Sequence, residues 1–286
     1  CGRCGVVPIR EEQLPVLLPD VEDWTGVSPL ARVEEWVRTT CPECGGPARR
    51  ETDVSDTFFD SCWYWLRYPS VDIDDRPWDT ERTARFLPVG QYAAGREHVT
   101  RHHLYARFTA MALHDMGLIP FDEPFPRLRL HGDLLYDGRD MSKSRGNIVD
   151  PDKYVDQHGA DVLRTYVLFC SRWDEGGDFR DQGIVGVERF FARLWRRVEQ
   201  NPNGTGTADR VIDAVGRAYE GMRFNVAIAR MMEAVRTADA RTLTLLLAPV
   251  APYLAEELWC RLGGRSSVHT QHWPEVSGAG KRGESP

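Results

Sequence analysis

Two Cys-x-x-Cys pairs, Cys1-x-x-Cys4 and Cys41-x-x-Cys44, lie 36 residues apart and constrain the start of this chain more than any other feature. They read Cys-Gly-Arg-Cys-Gly and Cys-Pro-Glu-Cys-Gly-Gly. Glycine after the second cysteine lets the backbone turn so that N–H groups face thiolate sulfur. Four thiolates presented on two such knuckles suit one tetrahedral Zn2+. Cys1, Cys4, Cys41 and Cys44 are therefore the expected ligands of a structural zinc ribbon. The separation exceeds the usual ribbon spacing, so an insertion must bulge from it. Two unrelated pairs, or disulfides in a secreted chain, are the competing readings. Residues 1–50 are too few to build a core of their own, so metal would supply much of their folding free energy. Cys62, Cys170 and Cys260 stand in apolar surroundings and read as small core residues.

The rest of the chain has an ordinary globular composition, 42% apolar and 28% charged over 286 residues, enough for one large domain or two to three small ones. No apolar run approaches the roughly 20 residues that span a bilayer, and no signal-peptide pattern opens the chain, which predicts a cytoplasmic location without a membrane partner. A net charge of −7 excludes nucleic-acid binding over the whole surface but leaves room for a local basic face. The first residue is Cys1 rather than methionine, which predicts a piece of a longer reading frame or a processed chain.

The segment Asp-Met-Ser-Lys-Ser-Arg-Gly-Asn, from Asp140 to Asn147, carries the clearest chemistry. It follows an alternating run at residues 127–136, expected to be one strand, and an Asp137-Gly138 turn. It precedes Asp150-Pro151, a helix start with a capping aspartate and a proline at the first helical position. Lys143 offers a point charge, Ser142 and Ser144 offer hydroxyls, and Gly146 permits close backbone approach. Such a loop between strand and helix suits a triphosphate, against the plainer reading of a solvated basic loop.

Around it, residues 51–70 read as a strand entering an aromatic helix. There Phe58, Ser61, Tyr64 and Trp65 recur at helical spacing, as a core stripe or as a pocket wall with Ser61 leaving room. Residues 71–86 read as an acidic surface loop. A strand ending near Tyr92, a turn at Ala94-Gly95 and a helix over 97–115 closed by Gly117 form a candidate nucleotide site, with Glu97 toward hydroxyls. Helices are expected over 151–170, broken at Gly159, and then at about 184–200, 207–221, 224–238, 240–248 and 251–262. Phe190, Phe191, Leu194, Trp195 and Val198 give the first of this second group an amphipathic, bundle-forming face. Arg189, Arg193, Arg196 and Arg197 give it a basic side, for a phosphate backbone or for solvent.

Further stretches complete a pattern: Leu104-Tyr-Ala-Arg-Phe108, Gly159-Ala-Asp161, Arg223-Phe-Asn225 and Ala251-Pro-Tyr-Leu-Ala-Glu-Glu-Leu-Trp259. In this order, with the knuckles and the Met141–Ser144 loop, they make the chain resemble the C-terminal half of the bacterial leucyl-tRNA synthetases, a class I aminoacyl-tRNA synthetase family, over nearly all of residues 1–275. The resemblance implies an α/β plus all-α fold. It places a zinc ribbon at 1–50, the second half of a Rossmann-type parallel-sheet catalytic domain with its linker at 51–183, a helical anticodon-binding bundle at 184–275 and a disordered tail at 276–286. It implies leucine–tRNA ligase activity, with ATP and Mg2+, structural Zn2+, leucine and tRNA, and an N-terminal half either continuous or separate. By resemblance, Phe58, Ser61 and Tyr64 line the leucine pocket, and Tyr92, Gly95, Glu97 and His98 surround the aminoacyl-adenylate. Met141, Ser142, Lys143 and Ser144 form the catalytic loop, and Arg193, Arg196 and Arg197 meet tRNA. The chain departs from the family pattern at four positions of the adenylate site. Asp140 replaces the first lysine of the loop, His131 a glutamine, Ala94 a glycine and Arg96 an apolar residue. No His-x-Gly-His signature occurs. A tRNA-binding module without aminoacylation is the alternative these departures favour.

Overall fold

The computed structural model describes residues 1–22, 28–200, 202–203 and 208–276, with Lys143 described through its backbone alone. The tail expected to be disordered lies, from residue 277, outside the described residues. The chain divides into two compact units: Cys1–Val89 with Thr100–Pro124, and Gly90–Val99 with Phe125–Pro286.

In the first unit both knuckles close by the same bond. Gly5 N donates to Cys1 O (3.0 Å) and Gly45 N to Cys41 O (2.9 Å). Both glycines sit in the left-handed region, at φ 73° and 69°, which L side chains rarely adopt. Helix α1 (Glu34–Val37) leads into the antiparallel pair β1 (Arg38–Thr40) and β2 (Pro47–Arg49), so the second knuckle is the loop of a hairpin. The aromatic stretch has no strand before it and is two helices rather than one. They are α2 (Thr57–Ser61), capped by Asp56 accepting from Phe58 N (3.0 Å), and α3 (Tyr64–Arg67). Trp65 Nε1 donates to Cys62 O (2.7 Å), the carbonyl that a continuous helix would offer to Leu66 N. Leu66 N turns instead to Trp63 O (2.9 Å). Trp65 and Leu66 are buried, whereas Tyr68 is exposed. The acidic stretch read as a loop ends in a helix, α4 (Thr80–Phe86), because Asp79 accepts from Arg82 N (3.0 Å) and caps it. Helix α5 (His102–Asp115) starts later than its periodicity suggests, after a 3-10 turn over Arg96–Thr100. It buries Ala106 and Ala110 and closes at Gly117, φ 72°.

The second unit opens with β3 (Tyr92–Gly95), parallel to β4 (Leu128–His131), with Gly95 opposite His131. The expected turn at Ala94-Gly95 is thus the end of a strand. The run 127–136 is also two strands. β4 ends at His131, and β5 (Leu134–Tyr136) pairs elsewhere, with β6 (Arg139–Asp140). Helices α6 (Pro151–His158) and α7 (Ala160–Cys170) follow, separated at Gly159 as expected. The hairpin β7 (Ser171–Arg172) and β8 (Gly176–Phe179) completes a sheet of order β6-β5-β8-β7, in which β5 and β8 run parallel. Gly132 and Gly176 explain the jog between sheets. A Cβ on Gly132 would overlap Gly176 N, and one on Gly176 would overlap Asp133 O. Backbone lies directly on backbone there.

Helices α8 (Ile184–Gln200), α9 (Asp209–Glu220), α10 (Phe224–Ala234), α11 (Ala240–Leu247) and α12 (Pro252–Arg261) match the expected bundle to within a few residues. Their core continues into α6, α7 and β8 through Tyr154, Tyr166 and Phe179. Phe179 is 2% exposed and meets Tyr154 and Tyr166 edge-on, at ring separations of 5.1 and 5.0 Å. Asp161 of α7 accepts from Leu254 N (2.6 Å) at the start of α12, and burial raises its carboxyl above the ordinary range. Of the three remaining cysteines, Cys62 is buried and Cys170 half-buried, while Cys260 is exposed on α12 and is not a core residue. Replacing Phe179 with alanine should lower unfolding free energy by about 3–5 kcal/mol, read from urea denaturation, because the surrounding rings cannot collapse into the space.

Candidate functional site

The four knuckle sulfurs form the first site. Among the described residues, the Sγ atoms of Cys1, Cys4, Cys41 and Cys44 lie within 4.8 Å of one another. Cys1 Sγ and Cys44 Sγ are 3.7 Å apart. That is close to the roughly 3.8 Å edge of a tetrahedron built on Zn–S bonds of about 2.3 Å, and far above the roughly 2.05 Å of a disulfide. All seven cysteines are free thiols, which removes the disulfide reading. Arg3 N and Cys4 N point at Cys1 Sγ, each at 3.4 Å. Backbone N–H groups of Cys44 and Glu43 lower the pKa of Cys41. Hydrogen bonding to Cys44, with some burial, pushes Cys4 up to about 11. Thiols that share protons in this way, beside N–H groups favouring thiolate, suit a single tetrahedral cation that displaces the protons.

In the first unit, Phe58, Ser61 and Tyr64 are all half-buried on α2 and α3. Ser61 Oγ donates back to Phe58 O (3.3 Å), and Tyr64 packs on Tyr68 and on His102, at ring separations of 5.1 and 5.7 Å. Trp65, grouped with them by periodicity, turns into the core instead.

The second unit holds the other candidates. Tyr92 stacks on Phe125 at 4.1 Å. Gly95 ends β3, and a Cβ there would overlap Glu97 Oε1, so the carboxylate lies over the glycine backbone. Glu97 Oε1 and His98 Nε2 are 3.4 Å apart. A carboxylate held over a strand end is placed to accept from hydroxyls. The departing residues lie close by: Arg96 donates to Asp174 O, and His131 packs edge-on to Trp173 at 5.8 Å.

The loop after β6 is held by hydrogen bonds of its own. Asp137 (φ 49°) and Gly138 (φ 73°) make the tight turn that the sequence indicated, and Gly138 N donates to Asp178 Oδ1 (2.8 Å). That bond and Arg180 hold the Asp178 carboxyl below the usual range. Beyond β6, Met141 packs against the main core, and residues Lys143–Arg145 wind into a 3-10 turn. The Lys143 side chain lies outside the described atoms. Asn147 closes the loop: its Oδ1 accepts from Ser142 N (2.8 Å) and its Nδ2 donates to Asp140 O (2.9 Å). Ser142 Oγ and Ser144 Oγ are 2.8 Å apart, so both hydroxyls face one point. The sequence reading missed this clamp, although the Asn147 amide at the loop end is a signal that could have revealed it. It also missed Asp181, which receives Tyr154 OH (2.5 Å) and Tyr136 OH (3.4 Å) behind the hairpin.

On α8, Arg193 Nε and Arg196 Nε donate to Arg189 O (3.1 Å) and Ala192 O (3.2 Å), leaving the rest of each guanidinium toward the surface. Arg197 differs. It donates to Arg236 O (2.5 Å) and Asn203 O (2.9 Å), so it joins neighbouring segments of the bundle. Removing the clamp, as in Asn147→Ala, should speed amide exchange at Ser142 by roughly 5–30-fold, the equivalent of about 1–2 kcal/mol. Exchange unchanged by the substitution would show that the clamp does not hold the loop.

Known proteins resemble this chain over nearly its whole length. The family model described as tRNA synthetases class I (I, L, M and V) matches residues 32–178, and that of the anticodon-binding domain of tRNA ligase matches residues 239–284. The leucine–tRNA ligase of Rubrobacter xylanophilus is 46% identical over 300 residues, 96% of this chain and 37% of that protein. That of Herpetosiphon aurantiacus is 46% identical over 303 residues, with the same coverage. Among solved structures, the ternary complex of Agrobacterium radiobacter K84 agnB2 LeuRS with tRNA and LeuAMS superposes with a TM-score of 0.82 at 36% identity, over 97% of this chain and 41% of that one. The chain therefore spans a little over a third of the length of the curated relatives it matches.

Proposed function

Because the chain belongs to the class I tRNA synthetases (I, L, M and V), we propose that it supplies the Met-Ser-Lys-Ser half of the catalytic centre and the anticodon-side bundle of a leucine–tRNA ligase. One observation carries this reading. It is the Asp140–Asn147 loop, closed by its own asparagine, in a chain 46% identical over nearly its whole length to leucine–tRNA ligases. The tRNA and LeuAMS held in the similar solved complex support the same substrates for this chain.

The chemistry has two steps. A carboxylate oxygen of leucine attacks the α-phosphorus of ATP. The bond from that phosphorus to the bridging oxygen breaks, and pyrophosphate leaves with the electron pair. A ribose hydroxyl of the terminal tRNA adenosine then attacks the carbonyl carbon of leucyl-adenylate, and AMP leaves. In the proposed roles, Lys143 meets the negative charge growing on the leaving pyrophosphate, and Mg2+ accompanies the ATP phosphates. Ser142 and Ser144 donate to phosphate oxygens, and Met141 seats the loop on the core. Glu97 accepts from ribose hydroxyls of the adenylate beside Tyr92, Gly95 and His98. Phe58 and Tyr64 give the leucine side chain an apolar wall, with Ser61 leaving room. Arg193 and Arg196 take tRNA phosphates, and Arg197 acts through the bundle it braces. The part of the relatives that this chain does not span would hold the remaining ATP contacts. No helix among the described residues is long and apolar enough to cross a membrane, and the proposed reaction belongs in the cytoplasm.

The four thiolates are the proposed ligands of a structural Zn2+. Metal analysis should give one zinc per chain, and Cys4→Ser should lose it. The variant's first fifty residues should become sensitive to protease while the bundle stays folded. One metal per chain in the Cys4→Ser variant would refute the assignment.

A second reading has its own observation. Asp140 is exposed at the head of the loop, where a negative charge opposes phosphate, and Arg96 is tied to Asp174 O. On that reading the chain binds tRNA without turnover. Leucine-dependent pyrophosphate exchange decides between them, run on the chain joined to the N-terminal part of a relative. Exchange should occur, and Lys143→Ala should slow it by about 10²–10³-fold. Folded protein that binds tRNA yet shows no exchange would establish the second reading.

A further inference from the structure

The second unit holds a cavity of about 690 Å³ that none of these roles uses. It lies among β4, the β7–β8 turn and the start of α10, lined by Arg129, Arg172, Trp173, Asp174, Arg223 and Asn225. Its size falls within the roughly 300–1,000 Å³ of small-molecule sites. Its charge is unusual for a chain of net charge −7. Arg172 is offset by Asp174 (3.5 Å) and Glu175 (2.6 Å), which also removes the one carboxylate lining the cavity from other partners. Arg129 and Arg223 are exposed, and among the described residues neither has a carboxylate within ion-pair distance. Two guanidiniums therefore stand at one cavity without counter-charge.

Backbone and indole add donors of the same sense. Helix α10 opens at Arg223 with no side-chain cap, and with Val226 N and Ala227 N donating to Arg223 O, Phe224 N and Asn225 N stand at the positive end of its dipole. The turn before it is well fixed, with Met222 in the left-handed region at φ 53° and Arg223 N donating to Ala218 O (2.7 Å). Trp173 forms a wall between His131 and Phe224, each at a ring separation of 5.8 Å, and its buried Nε1 has no acceptor among the described residues. An oxyanion with several acceptor oxygens answers both guanidiniums at once. A cationic ligand is repelled by both guanidiniums, and a neutral one leaves their charge uncompensated.

We propose that this cavity is a phosphate-binding site, with Arg129 and Arg223 as its principal ligands. The phosphate is either a diester of an RNA backbone or the monoester of a free nucleotide. With RNA as the source the proposal rests on the tRNA-binding reading, and with a nucleotide it stands alone. The site is separate from the loop at Asp140–Asn147 and from the arginines of α8.

The test titrates the chain with a leucine tRNA transcript across a salt series, and separately with AMP and inorganic phosphate by calorimetry. The variants are Arg129→Ala/Arg223→Ala, the same pair changed to Lys, and Arg193→Ala/Arg196→Ala. Circular dichroism confirms that each is folded. If the phosphate comes from RNA, the first variant should reduce the slope of log affinity against log salt by about 2, and the Lys pair should restore it. If it comes from a nucleotide, one AMP equivalent should be lost in the first variant while tRNA affinity stays unchanged. A first variant that matches wild type toward tRNA, AMP and phosphate alike overturns the site. Should the α8 variant alone lose tRNA while the first variant still binds AMP and phosphate as wild type does, this cavity fails while the tRNA-binding reading survives.

Discussion

Phe179 is the contact on which the second unit depends. It stands at the end of β8, 2% exposed, with Tyr154 of α6 and Tyr166 of α7 edge-on to its ring and Tyr136 of β5 at 6.4 Å. One side chain thereby ties the sheet, the two helices after the loop and the bundle core into one packed body. Interiors at crystal-like density transmit position, so the loop's hairpin inherits its place from the bundle. The polar layer behind the rings follows the same logic. Tyr166 OH donates to Arg180 O (2.8 Å) and accepts from Arg180 N (3.1 Å), and Asp181 receives the hydroxyls of Tyr154 and Tyr136. Gly183 is small because a Cβ there would overlap Tyr166 OH.

On that foundation the loop needs little further support. Asp178 holds the turn below it, and the single Asn147 amide spans it from Ser142 N to Asp140 O. The clamp uses backbone groups, so it is indifferent to the side chain at Asp140. That explains how an aspartate can occupy the head of the loop without disturbing its shape. On the proposed reading the consequence of Asp140 is electrostatic. A carboxylate about 4 Å from a phosphate oxygen costs roughly 4 kcal/mol at an effective dielectric of about 20, and less where salt and loop motion screen it. Arg96 and His131 are drawn toward the β7–β8 turn rather than toward Glu97, Arg96 by Asp174 O and His131 by Trp173.

Much of the architecture was legible in the residues because it is written in local rules. The bundle helices follow from apolar spacing. The start of α6 follows from Asp150-Pro151, the turn from Asp137-Gly138 and the breaks from Gly117 and Gly159. The elements that were misread have causes that no local window contains. The run 127–136 is continuous in pattern but splits because Gly132 and Gly176, far apart in sequence, bring two backbones into contact. The aromatic helix breaks because the Trp65 indole takes a carbonyl. Strands β7 and β8, two and four residues long, are too short for alternation to register.

The same division holds for the sites. The sequence alone determined which chemistry is available: four thiols on two turns, a lysine-bearing loop between two hydroxyls, a carboxylate two residues after a glycine. These are set by covalent neighbours and short-range backbone preference. Tertiary structure alone decided which groups are free to act. It gathered the knuckle sulfurs within 4.8 Å across 43 positions, and turned Arg197 onto carbonyls 6 and 39 residues away. It also left Arg129 and Arg223, 94 positions apart in sequence, at one cavity without counter-charge among the described residues. Charge and hydrogen-bond partners are matters of distance in space, and sequence separation does not encode that distance.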